Sequence, residues 1–385
     1  MNLQLTDEQE AFRRAVCELL CEQSVRDEVA RARRLPSDQE PGLLEIYRRL
    51  GERGWLAINW PAEHGGLGGS VVEKAILTEQ LIVHGIPDVV HTLSIDIVGL
   101  AIQQLGTEEQ QRRWLPALAA GESVGSVLLT EPEIGSDLGG LTTRAEPDGD
   151  GWRLYGRKVY SMKSQFADFA LCAARTTESE VRFHGITVFI VPMRGPGVLV
   201  EPLWSMSDER FNQVVLSGIR MTAEDVLGGI DDGWQVLHDL LGIERTGIEF
   251  EAKARRLLDA VLDEADRTGS LPDSEYGELL VELDGEVRAG QLLAWQALGD
   301  MLSGELDDVR CGMAKWHTTE TAKRISELAP EICGLTAMLS ARDAEAAPGW
   351  LLESAFRDGP GLTLASGTSE VMLSLIASTG LGLPR

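Results

Sequence analysis

The chain has 385 residues, 43% hydrophobic and 25% charged, which excludes wholesale disorder and a disulfide-stapled miniature. Lys and Arg number 35 against 61 Asp and Glu, a formal net charge of −26. So acidic a surface repels phosphate backbones and anionic lipid, which argues against a nucleic-acid or membrane-surface role.

The opening MNLQLTDEQEAFRRAV lacks the basic-then-apolar order of a signal peptide, and no later run reaches the roughly 18 apolar residues of a membrane span. Residues 5–34 carry few helix breakers, and Thr6 with Gln9 matches a capping box before an amphipathic run. Residues 43–51 continue the helical pattern. The stretch NWPAEHGGLGG at 59–69 is a Gly-rich loop, followed by an apolar helix over 71–83. Thr107 to Gln110 opens another helix, which ends near Leu118.

From about Gly121 the period changes. Short β-branched runs at 126–130, 152–155 and 186–191 alternate with turn signals such as Asp148-Gly149-Asp150-Gly151, which predicts an antiparallel β unit built of hairpins. It ends around Val226, and Gly228-Gly229 marks the boundary. Helical periodicity returns from Trp234 to Gly380, with helices expected over 234–265, 276–302 and 309–328. The predicted class is α+β: a helical domain over 1–120, a β domain over 121–227 and a C-terminal helical domain over 228–385.

The Gly-rich loop follows a helix and precedes no Walker lysine, so it reads as structural. Cys17 and Cys21 share a helix face without further ligands, which gives no zinc site and no other metal. The five cysteines (Cys17, Cys21, Cys172, Cys311, Cys333) read as reduced thiols of a cytoplasmic protein. The six histidines are scattered, and neither H-E-x-x-H nor G-x-S-x-G occurs, so hydrolase chemistry has no foothold. Residues 129–137, LTEPEIGSD, offer backbone and hydroxyl contacts to a cofactor, or a turn with an Asp cap. Residues 152–161, WRLYGRKVYS, form a second candidate arm, or an ordinary strand. Gly367-Thr368-Ser369-Glu370 offers a pyrophosphate or ribose contact, or simple helix capping.

Together WPAEHGGLGG at 60–69, GTEEQQRRWLP at 106–116, TEPEIGSD at 130–137, GTSE at 367–370 and GLPR at 382–385 resemble the acyl-CoA dehydrogenase family over nearly the whole chain. The resemblance implies N-terminal helices, a middle antiparallel β-barrel and a C-terminal four-helix bundle. It implies FAD between sheet and bundle, touched by Leu128, Thr130, Gly135, Ser136, Tyr160, Ser161, Thr368 and Glu370, with a neighbouring subunit completing the adenine end. The implied reaction takes the α-proton of an acyl-CoA or acyl-carrier-protein thioester with a carboxylate and passes the β-hydride to flavin N5. Ser136, Ser366 and Gly367 would meet the substrate. The implied partners are electron-transfer flavoprotein or a similar acceptor, and further subunits in a homodimer, a homotetramer or a heterotetramer with a second dehydrogenase chain.

Several residues depart from the family pattern. The Glu that many members carry before the C-terminal G-T is Ser366, whose hydroxyl cannot serve as the base. Members that place the base on the first long bundle helix have it before an Arg, where this chain has Glu244-Arg245. Glu244 is therefore the expected base and Arg245 its orienting neighbour. Tyr160 replaces a Trp, Met162 replaces a Thr or Ser, Glu133 and Ile134 replace a Gly-Ala pair, and R-x-x-F-G is absent, with Arg267-Thr268-Gly269 in roughly its place. These departures keep two alternatives open: a non-catalytic or half-site subunit of a heteromeric dehydrogenase, and a flavin-dependent oxidase of the same fold.

Overall fold

The computed structural model describes residues 4–35, 39, 42, 44–207, 209–244, 246–269, 276–304, 307–340 and 350–384. The N-terminal region is helical: α1 (Asp7–Leu20), α2 (Gln23–Arg34), α3 (Glu45–Gly51), α4 (Val71–Val83), α5 (Val89–His91), α6 (Leu100–Leu105) and α7 (Glu108–Ala119). Capping boxes start α1 at Thr6/Gln9, α4 at Ser70/Glu73 and α7 at Thr107/Gln110, because each N-cap hydroxyl and each third-residue side chain satisfies an orphan backbone N–H. Between α5 and α6, Thr92–Gly99 winds as a wide π-type turn. The Gly-rich loop is structural, as its sequence suggests. Gly68 N–H bonds the Trp60 carbonyl at 2.8 Å, and a Cβ on Gly66 would lie 2.1 Å from that same oxygen.

The middle region is one sheet of β1 (Gly125–Leu128), β2 (Arg144–Asp148), β3 (Gly151–Met162), β4 (Phe169–Arg175), β5 (Ile186–Pro192), β6 (Val198–Leu203), β7 (Phe211–Met221) and β8 (Val226–Leu227). Its order is β6-β7-β3-β2-β4-β5-β8, with β1 beside β4. The predicted hairpin at Gly149 joins β2 to β3, with Gly149 at φ 66°. Two details differ from the antiparallel barrel expected. The β1 and β4 strands run parallel, and the sheet stays open between β6 and β8.

The C-terminal region is helical: α8 (Gly233–Glu244), α9 (Ile248–Thr268), α10 (Gly277–Leu302), α11 (Asp308–Cys333), α12 (Trp350–Leu362) and α13 (Ser369–Leu375). The single helix expected over 234–265 is two. Gly247 breaks it at φ 87°, where a Cβ would stand 3.0 Å from Ala314 Cβ of α11, so only glycine lets the turn approach that helix. The break coincides with a change of core. Val236 and Leu237 of α8 share an apolar cluster with the sheet and the N-terminal helices, whereas Leu257, Leu258 and Val261 of α9 pack with α10, α11 and α12. Among the described residues, no helix is long and apolar enough to cross a membrane.

One buried charge makes stability depend on pH. Glu251 of α9 is 2% exposed and its Oε1 makes no hydrogen bond. Burial, then the Glu79 carboxylate of α4, pushes its pKa up to about 7, and Arg255 only partly opposes them. An unfolded Glu titrates near pH 4.3, so its folded-state value is raised. Its contribution is fully present below about pH 4 and is lost as pH rises through 7. Between pH 5 and 8 wild type should therefore lose on the order of 2 kcal/mol relative to Glu251→Gln. Denaturant titrations of both proteins at the two pH values measure this, and a gap that does not change with pH would show that Glu251 carries no such penalty.

Candidate active site

The segment that leaves β1 is held at its feet by one carboxylate. Glu131 is 3% exposed and accepts from Thr142 N at 2.8 Å, Thr142 Oγ1 at 2.6 Å and Thr143 N at 2.9 Å. Its fourth donor is Lys158 Nζ at 3.0 Å, and Lys158, in β3, has no exposed surface. The same ammonium bonds the Leu129 carbonyl at 3.0 Å. Burial alone would raise the Glu131 pKa, but the Lys158 charge and the threonine donors outweigh it and hold the value at about 2. Glu131 and Ile134 exchange backbone hydrogen bonds at 2.8 and 3.1 Å, which makes the start of the segment a tight turn. Beyond it Gly135, Ser136 and Asp137 are exposed, and nothing lies within 4 Å of where a Gly135 Cβ would be. Ile134 does not crowd this opening. Its Cδ1 folds back to 3.2 Å from the position of a Gly140 Cβ.

A bulge in β3 presents the aromatic ring. Lys158 pairs with Val214 and Ser161 with Asn212, so Val159 and Tyr160 oppose Gln213 alone. Tyr160 takes φ 55° at this bulge and its side chain turns outward, 59% exposed, edge-on to Phe211 at 5.9 Å between centroids. Val159 N–H bonds the Thr130 carbonyl at 2.9 Å, which ties the bulge to the segment after β1. Ser161 faces inward. Its hydroxyl donates to the Val127 carbonyl at 2.9 Å, and it is 4% exposed. Leu128 is fully buried, backbone included, and so offers a ligand no exposed surface here. Met162 packs on the sheet core.

On the bundle side, Glu244 is the last residue of α8; its side chain, and Arg245 entirely, lie outside the described residues. Ser366 and Gly367 are both left-handed, at φ 56° and 92°. Lys315 of α11, fully buried, donates to the Gly367 carbonyl at 2.6 Å and the Leu362 carbonyl at 3.3 Å, pinning this turn from below. Thr368 caps α13 through its hydroxyl to Val371 N at 3.3 Å, the simple capping role. Glu370 is exposed, and its own backbone N–H and the Thr368 hydroxyl lower its pKa. The Arg267-Thr268-Gly269 segment ends α9, with Arg267 paired to Glu264 at 2.5 Å.

The structure thus ties Thr130 to the β3 bulge that carries Tyr160, leaves Gly135 and Ser136 exposed on the segment after β1, and ties the Ser366–Gly367 turn to α11. An exposed aromatic ring, and exposed small and hydroxyl residues on the segment after β1, are side chains of the kind that the flat ring and polar edge of a flavin would need. Sequence reading missed Glu131, Lys158 and Lys315. The available signal was a lysine at an inward strand position and another on the apolar face of a helix. Among the described residues, no group of three or more His, Cys, Asp or Glu side chains could hold a metal ion.

Lys315→Met should cost about 2 kcal/mol, the worth of charged hydrogen bonds to two partly buried carbonyls. Urea unfolding measures it; an unchanged midpoint would mean that the turn holds itself.

Models of the acyl-CoA dehydrogenase N-terminal, middle and C-terminal domains match residues 6–122, 126–219 and 231–381. The chain is 31% identical over 363 residues to acyl-CoA dehydrogenase FadE26 of Mycobacterium tuberculosis, covering 90% of each. It is 29% identical over 353 residues to FadE29 of the same organism, covering 90% of this chain and 89% of the relative. Among solved structures, it superposes on the Tcur3481-Tcur3483 steroid ACAD with a TM-score of 0.91 at 28% identity, and on the ChsE4-ChsE5 complex of M. tuberculosis with 0.87 at 29%. Both superpositions cover 100% of each chain. With helices, sheet and bundle in the same order and all three domain models matched, this chain belongs to the acyl-CoA dehydrogenase family of flavin oxidoreductases.

Proposed function

We propose that the chain carries out FAD-dependent α,β-dehydrogenation of a bulky, cyclic or branched acyl-CoA, with Glu244 as the base. The observation that carries this reading is the position of Glu244 at the end of α8, three residues before the Gly247 break between α8 and α9. The seat before Gly367 holds a serine, which leaves the Glu at the end of α8 as the candidate carboxylate.

When bound, FAD supplies the hydride acceptor for the substrate's β-carbon. The exposed segment at Gly135 and Ser136, together with Thr130 and the outward Tyr160 ring, would hold it. Thr368 and Glu370 stand on the bundle side of the same reading. The chain's own task is the α-proton. An α-C–H is too weakly acidic for a carboxylate unless the thioester carbonyl is polarised by donors fixed in advance. The left-handed pair Ser366–Gly367, pinned by Lys315, is suited to offer the Ser366 backbone N–H as one such donor. Glu244 would then take the proton, a role that requires its carboxylate to come within hydrogen-bond reach of the carbon. The description of one relative as a steroid ACAD supports a large ring system as the acyl group.

A second reading, that this chain is one half of a heteromeric dehydrogenase, draws on the ChsE4-ChsE5 complex and on exposed apolar side chains. Trp204 is 60% exposed, Met206 64% and Leu381 70%, a surface that another subunit would cover. Either way we infer an oligomer that hands its electrons to electron-transfer flavoprotein or a similar carrier.

Protein expressed alone should be yellow and be bleached anaerobically by a cyclic acyl-CoA. Glu244→Gln should keep its flavin and slow that bleaching by roughly 100- to 10,000-fold. Colourless protein that gains flavin on co-expression with a neighbouring dehydrogenase chain would favour the heteromeric reading, and an undiminished rate would remove Glu244 from the role.

A further inference from the structure

The Glu131–Lys158 pair is more elaborate than packing requires. Both side chains are sealed, at 3% and 0% exposure. Replacing such a pair with apolar residues of similar volume is often neutral or stabilising, because two desolvated charges cost about what their attraction returns. Stability alone does not explain it.

Geometry does. Leu129 and Glu131 stand where the segment leaves β1, Thr142 and Thr143 where it reaches β2, and Lys158 two residues before Tyr160 in β3. One carboxylate and one ammonium therefore hold both feet of the 132–141 segment and the strand that presents the ring. Away from its feet, the segment is tied to the rest of the sheet by Leu138 and the buried Leu141, which pack on the main apolar cluster, by Arg175 on the Gly139 carbonyl at 2.9 Å and the Leu141 carbonyl at 3.5 Å, and by the Asp137–Arg182 pair, whose side chains are 55% and 65% exposed. An exposed pair of that kind contributes little. Hydrogen bonds to charged groups are directional, and five of them converge here at 2.6–3.0 Å.

We propose that Glu131 and Lys158 are positioning residues of the flavin site, fixing the gap between the 132–141 segment and the Tyr160 face. The inference rests on the reading above, that FAD seats between these two surfaces. The double variant Glu131→Gln/Lys158→Met removes both charges together and leaves the Gln carbonyl to accept from the threonine N–H groups. Its apoprotein should melt within a few degrees of wild type, while FAD affinity, read by quenching of flavin fluorescence in the full chain or its co-expressed complex, falls tenfold or more. Amide hydrogen exchange across 132–141 of the apoprotein should quicken. If the double variant does not fold, Glu131→Asp, which keeps the charge and shortens its reach, is held to the same comparison. FAD binding within twofold of wild type, with exchange unchanged, overturns the inference alone. Wild-type protein that takes up no FAD in either form overturns the reading of the site and this inference with it.

Discussion

A lysine ammonium cut off from water has to be satisfied by protein oxygens, and two such ammoniums shape this site. Lys158 draws the Leu129 carbonyl and the Glu131 carboxylate together under the sheet surface. Lys315 draws in the Leu362 and Gly367 carbonyls at the end of the bundle. Each converts a cost of burial into a geometric constraint, because the donors must meet oxygens at fixed angles and about 3 Å. The backbone around them is correspondingly unusual. Tyr160 and Ser366, both non-glycine residues with positive φ, lie within two residues of an atom these lysines hold or of a lysine itself. Such conformations persist where surrounding contacts over-determine them, and they gather at functional sites.

The second organising feature is the seam between two cores. The sheet, the N-terminal helices and α8 share one apolar cluster, and α9 to α12 share another. Gly247 lets the chain pass between them by bringing backbone against Ala314. The consequence reaches function: the last residue of α8, three before the break, is the Glu proposed as the base.

Much of the fold was legible because its signals are local. The capping box at Thr6 and the helix start at Thr107 are four-residue chemistry, and the periodicity over 71–83 and 276–302 set α4 and α10 almost to the residue. The break at Gly247 was not legible, since a lone glycine in an apolar helical pattern is usually tolerated and only the approach of α11 makes it necessary. The outward turn of Tyr160 was equally hidden. Period-two alternation predicts which strand face a residue shares, and one bulge residue reverses it. Ser161 shows the result: next to the ring in sequence, its hydroxyl is spent on the Val127 carbonyl.

By itself, then, the sequence determined the order of helices, sheet and helices, the family resemblance in the 130–137 and 367–370 segments, and the vacancy of a carboxylate at Ser366. These follow from residue type and short spacing, which a chain carries before it folds. Only the tertiary structure decided that Glu131 binds inward to Lys158, that Lys315 reaches the Gly367 carbonyl and that Glu251 is buried beside Glu79. Those outcomes join residues 27, 52 and 172 positions apart in the chain, and nothing in local propensity fixes which oxygen a buried charge will find.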